Sequence, residues 1–224
     1  MSTSNRDIAA AERGKTRAFV TMVEWPGWSR GAKTEDQAVE TVLNYADRYR
    51  QVVERAGISD LPATVDIIDR LPGDGQTDFG IPGQVHAIDH EPLDDEEASR
   101  LIDILGACWL AFDEVRDRVS PEMKKGPRGG GRDRDPIVEH VVEADRGYAR
   151  RIGVRTPPFD VLSTDARRDH SAAVYEVLMQ RRGGTTEGKE WPMRYVLRRM
   201  AWHILDHTWE MEDKDLSRSA NGDA

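Results

Sequence analysis

Two histidines near the C-terminus, His203 and His207, are four residues apart in a segment that contains no helix-breaking residue. The segment predicts one long helix from Pro192, because the missing N–H of a proline has no partner at the start of a helix anyway. Residues four apart lie one turn apart on the same face, with Cβ atoms roughly 5–6 Å from each other. Two imidazoles at this spacing can bind one metal ion.

A third histidine, His140, lies in a segment that predicts a separate amphipathic helix. Helix bundles often contain metal sites built from side chains on facing helices. Three imidazoles leave one position of a tetrahedral ion free, which is typical of catalytic zinc sites. The ion lowers the pKa of a water or thiol bound there and gives a nucleophile near neutral pH. The predicted metal ligands are His140, His203 and His207.

Carboxylates lie where they could orient two of these ligands. Glu210 follows His207 by three residues, and Glu143 follows His140 by three. A carboxylate that accepts the second ring N–H of a ligand histidine fixes its tautomer and orientation. Asp206 lies about 60° off the ligand stripe by helix geometry and is the poorer candidate.

Arg199 lies one turn before His203 on the same stripe. Its guanidinium could bind an anionic group of a substrate through two parallel hydrogen bonds. Arg199 and Glu210 are therefore the candidate catalytic residues. Two histidines at this spacing are often hydrogen-bonded core or surface residues, so the metal hypothesis depends on whether His140 lies beside them.

The composition of the 224-residue chain excludes several classes of function. A net charge of −9 argues against general nucleic-acid binding, which needs a basic surface. The single cysteine, Cys108, permits no intrachain disulfide and fits a cytoplasmic protein. No apolar run reaches the roughly 18 residues of a membrane span. We expect a cytoplasmic protein with a small-molecule substrate and no nucleic-acid or membrane partner. The sequence does not decide whether the protein forms a homodimer.

The first ninety residues show a mixed α/β pattern. Alternating β-branched and aromatic residues predict a strand over 18–25. Thr34 predicts the start of a helix that Gly57 ends. These elements define a small α/β domain over 15–91, after a disordered lead-in over 1–14. Its other predicted segments are a return strand over 28–33, a strand over 64–68, a loop over 71–83 and a strand over 85–90.

The rest of the chain predicts four helices, each with one apolar stripe and end signals. Such helices most simply form an up-down four-helix bundle, predicted over 92–214. The fold class is therefore α+β, with the bundle after the small α/β domain. The helices start near residues 94, 135, 163 and 192; a basic glycine-rich loop covers 124–134, and a disordered tail covers 215–224.

Three further histidines and the cysteine are interpreted as structural. His86 and His90 are also four apart, but four residues of extended chain span about 13 Å, too far for one ion. Both are expected on the sheet surface. His170 is expected on its helix near the edge between the polar and the apolar face. Cys108 lies in an apolar stripe, where a free thiol is usually a small hydrophobe.

Two segments of the helical half resemble the DinB-like superfamily of metal-binding four-helix bundles. They are Ile137-Val-Glu-His-Val-Val-Glu-Ala-Asp145 and Arg199-Met-Ala-Trp-His-Ile-Leu-Asp-His-Thr-Trp-Glu210. The family's ligands, one histidine on the second helix and a His-x-x-x-His pair late in the bundle, correspond to His140, His203 and His207. The resemblance, over roughly 93–213, implies a divalent metal, zinc or nickel, and a thiol S-transferase that uses a low-molecular-weight thiol such as mycothiol or bacillithiol.

A shorter stretch over 25–38, from Trp25-Pro-Gly-Trp-Ser-Arg to Ala38, resembles the hairpin-to-helix joint of HicB-like domains. This resemblance implies a small sheet with a helix across it. The α/β segment is not part of the basic DinB-like architecture.

Three functions remain to be distinguished. The first is an enzyme whose metal activates a thiol or water for transfer to, or hydrolysis of, an electrophilic small molecule. The second is a non-catalytic module that binds a partner protein and holds a structural metal, which a closed fourth metal position would favour. The third, an antitoxin-like regulator, needs a basic surface and is disfavoured by the acidic net charge.

Overall fold

A computed structural model describes residues 6–127, 129–182 and 191–217. This part of the chain is α+β, with a four-stranded mixed sheet followed by a helical region. None of the described helices is long and apolar enough to cross a membrane. The strands are β1 (Ile8–Arg13), β2 (Ala18–Met22), β3 (Ser29–Ala32) and β4 (Asp66–Pro72); the helices are α1 (Glu35–Asn44), α2 (Ala46–Val53), α3 (Gly75–Phe79), α4 (Asp95–Arg118), α5 (Arg134–Ala149), α6 (Thr164–Gln180) and α7 (Met193–Asp213).

The sheet has the order β3-β2-β1-β4, with β1 antiparallel to β2 and parallel to β4. The disordered lead-in predicted over 1–14 is therefore wrong for Ile8–Arg13, which form an inner strand; residues 1–5 lie outside the described chain. Ala9, Ala10 and Ala11 fill the middle of β1 and are almost fully buried. Alanine carries little of the β-branched and aromatic signal of a strand, so the sequence pattern misses it.

The hairpin predicted from strands over 18–25 and 28–33 is observed as β2 and β3, although β2 already ends at Met22, and its turn packs against α7. Gly27 has a φ of 92°, a left-handed conformation that favours glycine. A Cβ at this position would lie 2.7 Å from Leu205 Cδ1 on α7. The turn therefore approaches α7 more closely than another residue would allow.

The segment predicted as one helix from Thr34 to Gly57 contains two helices. The Thr34 hydroxyl accepts a hydrogen bond from the backbone N–H of Gln37 at 3.3 Å, as expected of a cap. Gly57 ends the segment with a φ of 72°. The chain breaks at Tyr45, whose ring lies 5.1 Å from that of Trp209 on α7. The helical periodicity of the segment does not depend on this long-range contact, so the sequence pattern predicts one continuous helix.

Two shorter predictions in the front half of the chain, residues 6–91, are wrong. The loop predicted over 71–83 contains α3, which begins after the capping residue Asp74. The strand predicted over 85–90 is a loop that leads into a 3-10 turn, Ala87–His90. His86 is consequently buried rather than on a sheet surface, and its Nδ1 lies 3.0 Å from Asp69 Oδ2.

The four predicted long helices are observed as α4, α5, α6 and α7. Asp94 and Ser163 cap α4 and α6, each accepting a backbone N–H. In the C-terminal helical region, α4 packs against α6 and α7, and α5 packs against α7. The Gly183-Gly184 end signal predicted for α6 lies outside the described residues.

The loop after α4 and the chain after α7 meet. Met123 and Asp215 form an isolated antiparallel bridge, and the backbone N–H of Lys124 donates to Lys214 O at 2.8 Å. The tail predicted to be disordered over 215–224 is thus ordered at its start, and residues 218–224 lie outside the described chain. These contacts place the basic loop beside the end of α7.

α7 is buried along most of its length, arginines included. Arg194 pairs with Glu24, and Arg198 binds Asp89 through Nε at 2.9 Å and Nη2 at 2.6 Å. Both carboxylates belong to the front half of the chain. The hydrophobic core is likewise continuous across the boundary predicted at 91–92.

Replacing Asp89 by alanine is expected to lower the free energy of unfolding by about 3–5 kcal/mol, because it leaves the buried guanidinium of Arg198 unpaired. Chemical denaturation measures the change. The matched control is Asp213→Ala, which removes a more exposed carboxylate 2.9 Å from Arg48 and is expected to change stability by less than about 1 kcal/mol. Equal losses in the two variants would show that Asp89 does not anchor α7.

Candidate metal centre

The three predicted ligands converge between α5 and α7. The ring centroid of His140 lies 5.0 Å from that of His203 and 4.9 Å from that of His207, and the last two are 4.8 Å apart. One ring nitrogen from each residue can be chosen so that all three lie within 4.8 Å of one another. The three imidazoles therefore lie close together, as the sequence predicts.

The spacing of the nitrogens suits one shared ion. Nε2 of His203 lies 3.3 Å from Nε2 of His140. Two nitrogens bound at about 2.0–2.1 Å to a tetrahedral ion lie about 3.3–3.4 Å apart. A hydrogen bond between two neutral rings would also fit this distance, but it gives no role to the third ring. A divalent ion uses all three.

Glu210 contacts His207 as predicted. Its Oε2 lies 2.6 Å from His207 Nδ1, and Lys214 contacts the other carboxylate oxygen. The hydrogen bond from His207 lowers the pKa of Glu210 to about 2, so the group is a carboxylate at neutral pH. A carboxylate in this position accepts the Nδ1–H, which leaves the Nε2 lone pair for an ion.

The role predicted for Glu143 is wrong. Its carboxylate lies 2.6 Å from Arg146 Nη1 and does not orient His140. A guanidinium one turn away is the stronger partner, because its hydrogen bonds to a carboxylate are charge-assisted. Asp206, expected to be the poorer candidate, pairs with Arg30 at 2.7 Å.

The local environment keeps His140 and His203 in the neutral form that binds metals. Burial lowers the pKa of His203 from 6.5 to about 2, and the neighbouring His207, His140 and Arg199 act in the same direction. Burial also lowers the pKa of His140, with His207 and Arg132 adding to the effect. Neutral imidazole is the ligand form, so an ion has few protons to displace at neutral pH.

Arg199, the other predicted catalytic residue, lies beside the cluster between two aromatic rings. Its Cζ is 5.3 Å from the centroid of Tyr148 and 4.8 Å from that of Trp202. Both rings also contact His203, with centroids 5.8 and 6.0 Å away. The guanidinium, the two aromatic rings and the ligand histidine therefore form one contiguous group.

The sequence predicts Tyr148 on the apolar stripe of its helix and Trp202 in or at the edge of the core, with a pocket-lining tryptophan as the less favoured alternative. It does not predict that both lie beside the site. Tyr148 follows His140 by eight residues, which places it about 80° around the helix from His140, so spacing alone does not assign it to the site. Trp202 is adjacent to His203 in sequence, and its contact with Arg199 depends on the direction of its ring. No spacing rule indicates that direction.

The remaining candidates are structural. His170 is buried away from the cluster, with Nδ1 3.1 Å from Thr156 Oγ1. Cys108 is fully buried, and burial raises the pKa of its thiol, so it is not a nucleophile at neutral pH. Both interpretations from the sequence are consistent with these positions.

Within the described residues, the cluster contains no fourth protein ligand. His140 and His207 are partly exposed, so small molecules can approach the rings from solvent. An ion held by these three imidazoles would keep a coordination position for water or a substrate, as catalytic zinc ions do.

Comparison with known proteins found no matching family model, and no match among curated proteins or solved structures. The DinB-like and HicB-like resemblances therefore rest on the sequence motifs alone. The geometry of the three histidines carries the functional argument.

The metal-free protein is expected to lose stability as the pH falls from about 7.5 to about 5. The pKa of His203 is about 2 in the folded chain against 6.5 when unperturbed, so below pH 6.5 the unfolded chain binds the extra proton. The free energy of unfolding should thus drop by about 2 kcal/mol at about pH 5. Denaturation in a chelator measures this drop.

The His203→Gln variant should lack this part of the pH dependence, because glutamine does not titrate. His90→Gln, at an exposed histidine, is the control and should retain it. An unchanged pH dependence in His203→Gln would contradict a buried neutral imidazole.

Proposed function

We propose that this protein is a metal-dependent enzyme in which His140, His203 and His207 bind one divalent ion. The observation that carries the proposal is the approach of one nitrogen from each ring to within 4.8 Å of the others. The sequence resemblance adds an up-down four-helix bundle of the DinB-like type as the architecture of α4 to α7. Glu210 is a positioning residue in this proposal, since it acts through His207.

The proposed reaction is attack of a thiol or water on an electrophilic small molecule. The ion lowers the pKa of the bound nucleophile and so makes it reactive near neutral pH. In a transfer, the thiol sulfur forms a bond to the electrophilic carbon, the thiol proton passes to solvent, and the displaced group leaves with the electron pair of the broken bond. With water as nucleophile, the same site performs hydrolysis.

Zinc or nickel is the proposed ion; imidazole ligands suit both, as they also suit copper and iron. Mycothiol or a similar low-molecular-weight thiol is the proposed co-substrate on the basis of the DinB-like resemblance. The second candidate function is a non-catalytic metal-binding module. The lack of a fourth protein ligand among the described residues favours the enzyme over this module.

The purified parent protein is expected to contain about one equivalent of zinc or nickel. His203→Ala should bind either metal with an affinity reduced by more than roughly 100-fold, because it loses a direct ligand. Elemental analysis and titration calorimetry measure both quantities. His170→Ala, at a histidine buried outside the cluster, is the matched control and should retain the metal.

Activity is then measured with a screen of electrophilic substrates, with mycothiol and with water as nucleophile. The parent should turn over a substrate that His203→Ala does not. Parental metal affinity in His203→Ala would refute the metal site, whereas bound metal without turnover across the screen would favour the non-catalytic module.

Glu210→Gln is expected to lower metal affinity by about 10- to 100-fold, the usual effect of losing a carboxylate that orients a ligand histidine. The comparison variant is Glu143→Gln, which changes a carboxylate paired with Arg146 rather than with a histidine. Titration calorimetry with zinc should give the parental affinity for Glu143→Gln. Equal affinities in both variants would contradict a role for Glu210 in orienting His207.

A further inference from the structure

Arg199 differs from the other buried arginines because it has no ion-pair partner among the residues that the structure describes. Among the described residues, the four others each contact a carboxylate: Arg146 with Glu143, Arg167 with Asp113, Arg194 with Glu24 and Arg198 with Asp89. Arg199 is 6% exposed, and its Nη1 is buried without a hydrogen-bond partner in the described chain. A buried charge without a partner is strongly unfavourable unless something else compensates it.

The aromatic neighbours of Arg199 stabilise its charge only in part, through cation–π contacts, and neither of them is an anion. Tyr148 contacts the guanidinium as a neutral phenol, because burial raises the pKa of its hydroxyl while Arg199 opposes the rise. Trp202 offers a ring face and an indole N–H, and its buried Nε1 also has no acceptor among the described residues. The group therefore presents hydrogen-bond donors from Arg199 and Trp202, and its one acceptor, the Tyr148 hydroxyl, carries no negative charge.

These unpaired donors lie next to the histidine cluster. Arg199 precedes His203 by one helical turn, a rise of about 5–6 Å. The two rings that flank its guanidinium both contact the ring of His203. A small molecule bound at the metal's free position could therefore reach Arg199 without leaving the site.

The charge of the site selects an anion. A divalent ion would add two positive charges to a region that already holds Arg199 and, near His140 and His203, the exposed Arg132. Glu210 supplies one negative charge, which it shares with Lys214. A ligand carrying a carboxylate would offset this excess and would satisfy the planar, two-pronged donor geometry of a guanidinium.

We infer that Arg199, with Trp202 beside it, is a carboxylate-binding subsite next to the metal. The substrate class of the proposed enzyme is then a small carboxylic acid whose reactive atom lies a few bonds from the carboxylate. This inference rests on the proposed metal site. Arg199 contacts the substrate in this arrangement and determines which substrates are accepted.

The test uses the full chain loaded with cobalt(II) and two probe thiols that differ only in charge. 3-Mercaptopropionate carries a carboxylate, and 3-mercaptopropanamide carries a neutral amide of nearly the same shape. Binding of either thiol is followed by the sulfur-to-cobalt charge-transfer absorption. The parent should bind the acid roughly 10- to 100-fold more tightly than the amide, which is the usual strength of a charge-assisted hydrogen bond.

Arg199→Gln should bind both thiols with similar affinity and keep the parental affinity for the amide. Loss of affinity for both probes alike would instead indicate a purely structural role and overturn the inference. The control variant Arg132→Gln removes an exposed cation near the histidines and should keep most of the preference for the acid. Equal loss of preference in Arg132→Gln would show a general charge effect and no defined subsite.

The same experiment separates this inference from the proposed function. If the parent takes up no cobalt(II), the metal site is refuted and the subsite with it. If cobalt(II) is bound but neither thiol gives the absorption band, the metal site stands and the carboxylate subsite is refuted. If both thiols bind with equal affinity, the metal site stands and the carboxylate subsite is refuted.

Discussion

The rotation of α7 about its own axis decides whether this chain can form a metal site, and two buried ion pairs fix that rotation. Arg194 and Arg198 are four residues apart and bind Glu24 and Asp89 of the front half. With 3.6 residues per turn, His203 lies about 140–180° around the helix from these arginines. Pairing the arginines with the front half therefore turns the histidine stripe toward α5 on the opposite side.

The front half consequently supports the site and is not an independent attachment to the helices. A buried guanidinium that loses its carboxylate destabilises a protein by about 3–5 kcal/mol, so a rotated α7 would be strongly disfavoured. Two further contacts oppose the same motion: the Gly27 turn lies against α7, and the ring of Phe19 meets that of Trp202 edge to face at 6.4 Å. The carboxylates that orient α7 belong to segments far away in sequence. Their ion pairs with α7 hold the two halves of the chain together, and the two halves share one core.

Local physics lets the sequence predict the long helices and the stripe that carries His203 and Glu210, because spacing along one helix is fixed by its pitch. Elements that depend on distant partners are missed. The alanine-rich strand Ile8–Arg13 has little propensity of its own and is held by a neighbour on each side. The break at Tyr45 reflects a ring contact with α7. Glu143 has the right spacing for a ligand-orienting role, but a nearby arginine binds it more strongly than an imidazole would.

Electrostatics connects the proposed ion to the unpaired arginine. A divalent ion and a guanidinium repel each other; for a separation of about 6 Å and an effective dielectric constant of about 20, Coulomb's law gives about 5.5 kcal/mol. Glu210 offsets part of this, although its carboxylate also contacts Lys214. An anion placed between the ion and Arg199 is attracted to both, so metal binding and anion binding should favour each other. By linkage, each ligand then raises the affinity for the other by the same factor. The substrate carboxylate would give Arg199 the partner that Glu24 and Asp89 give to the other arginines of α7, and this compensation would exist only in the complex.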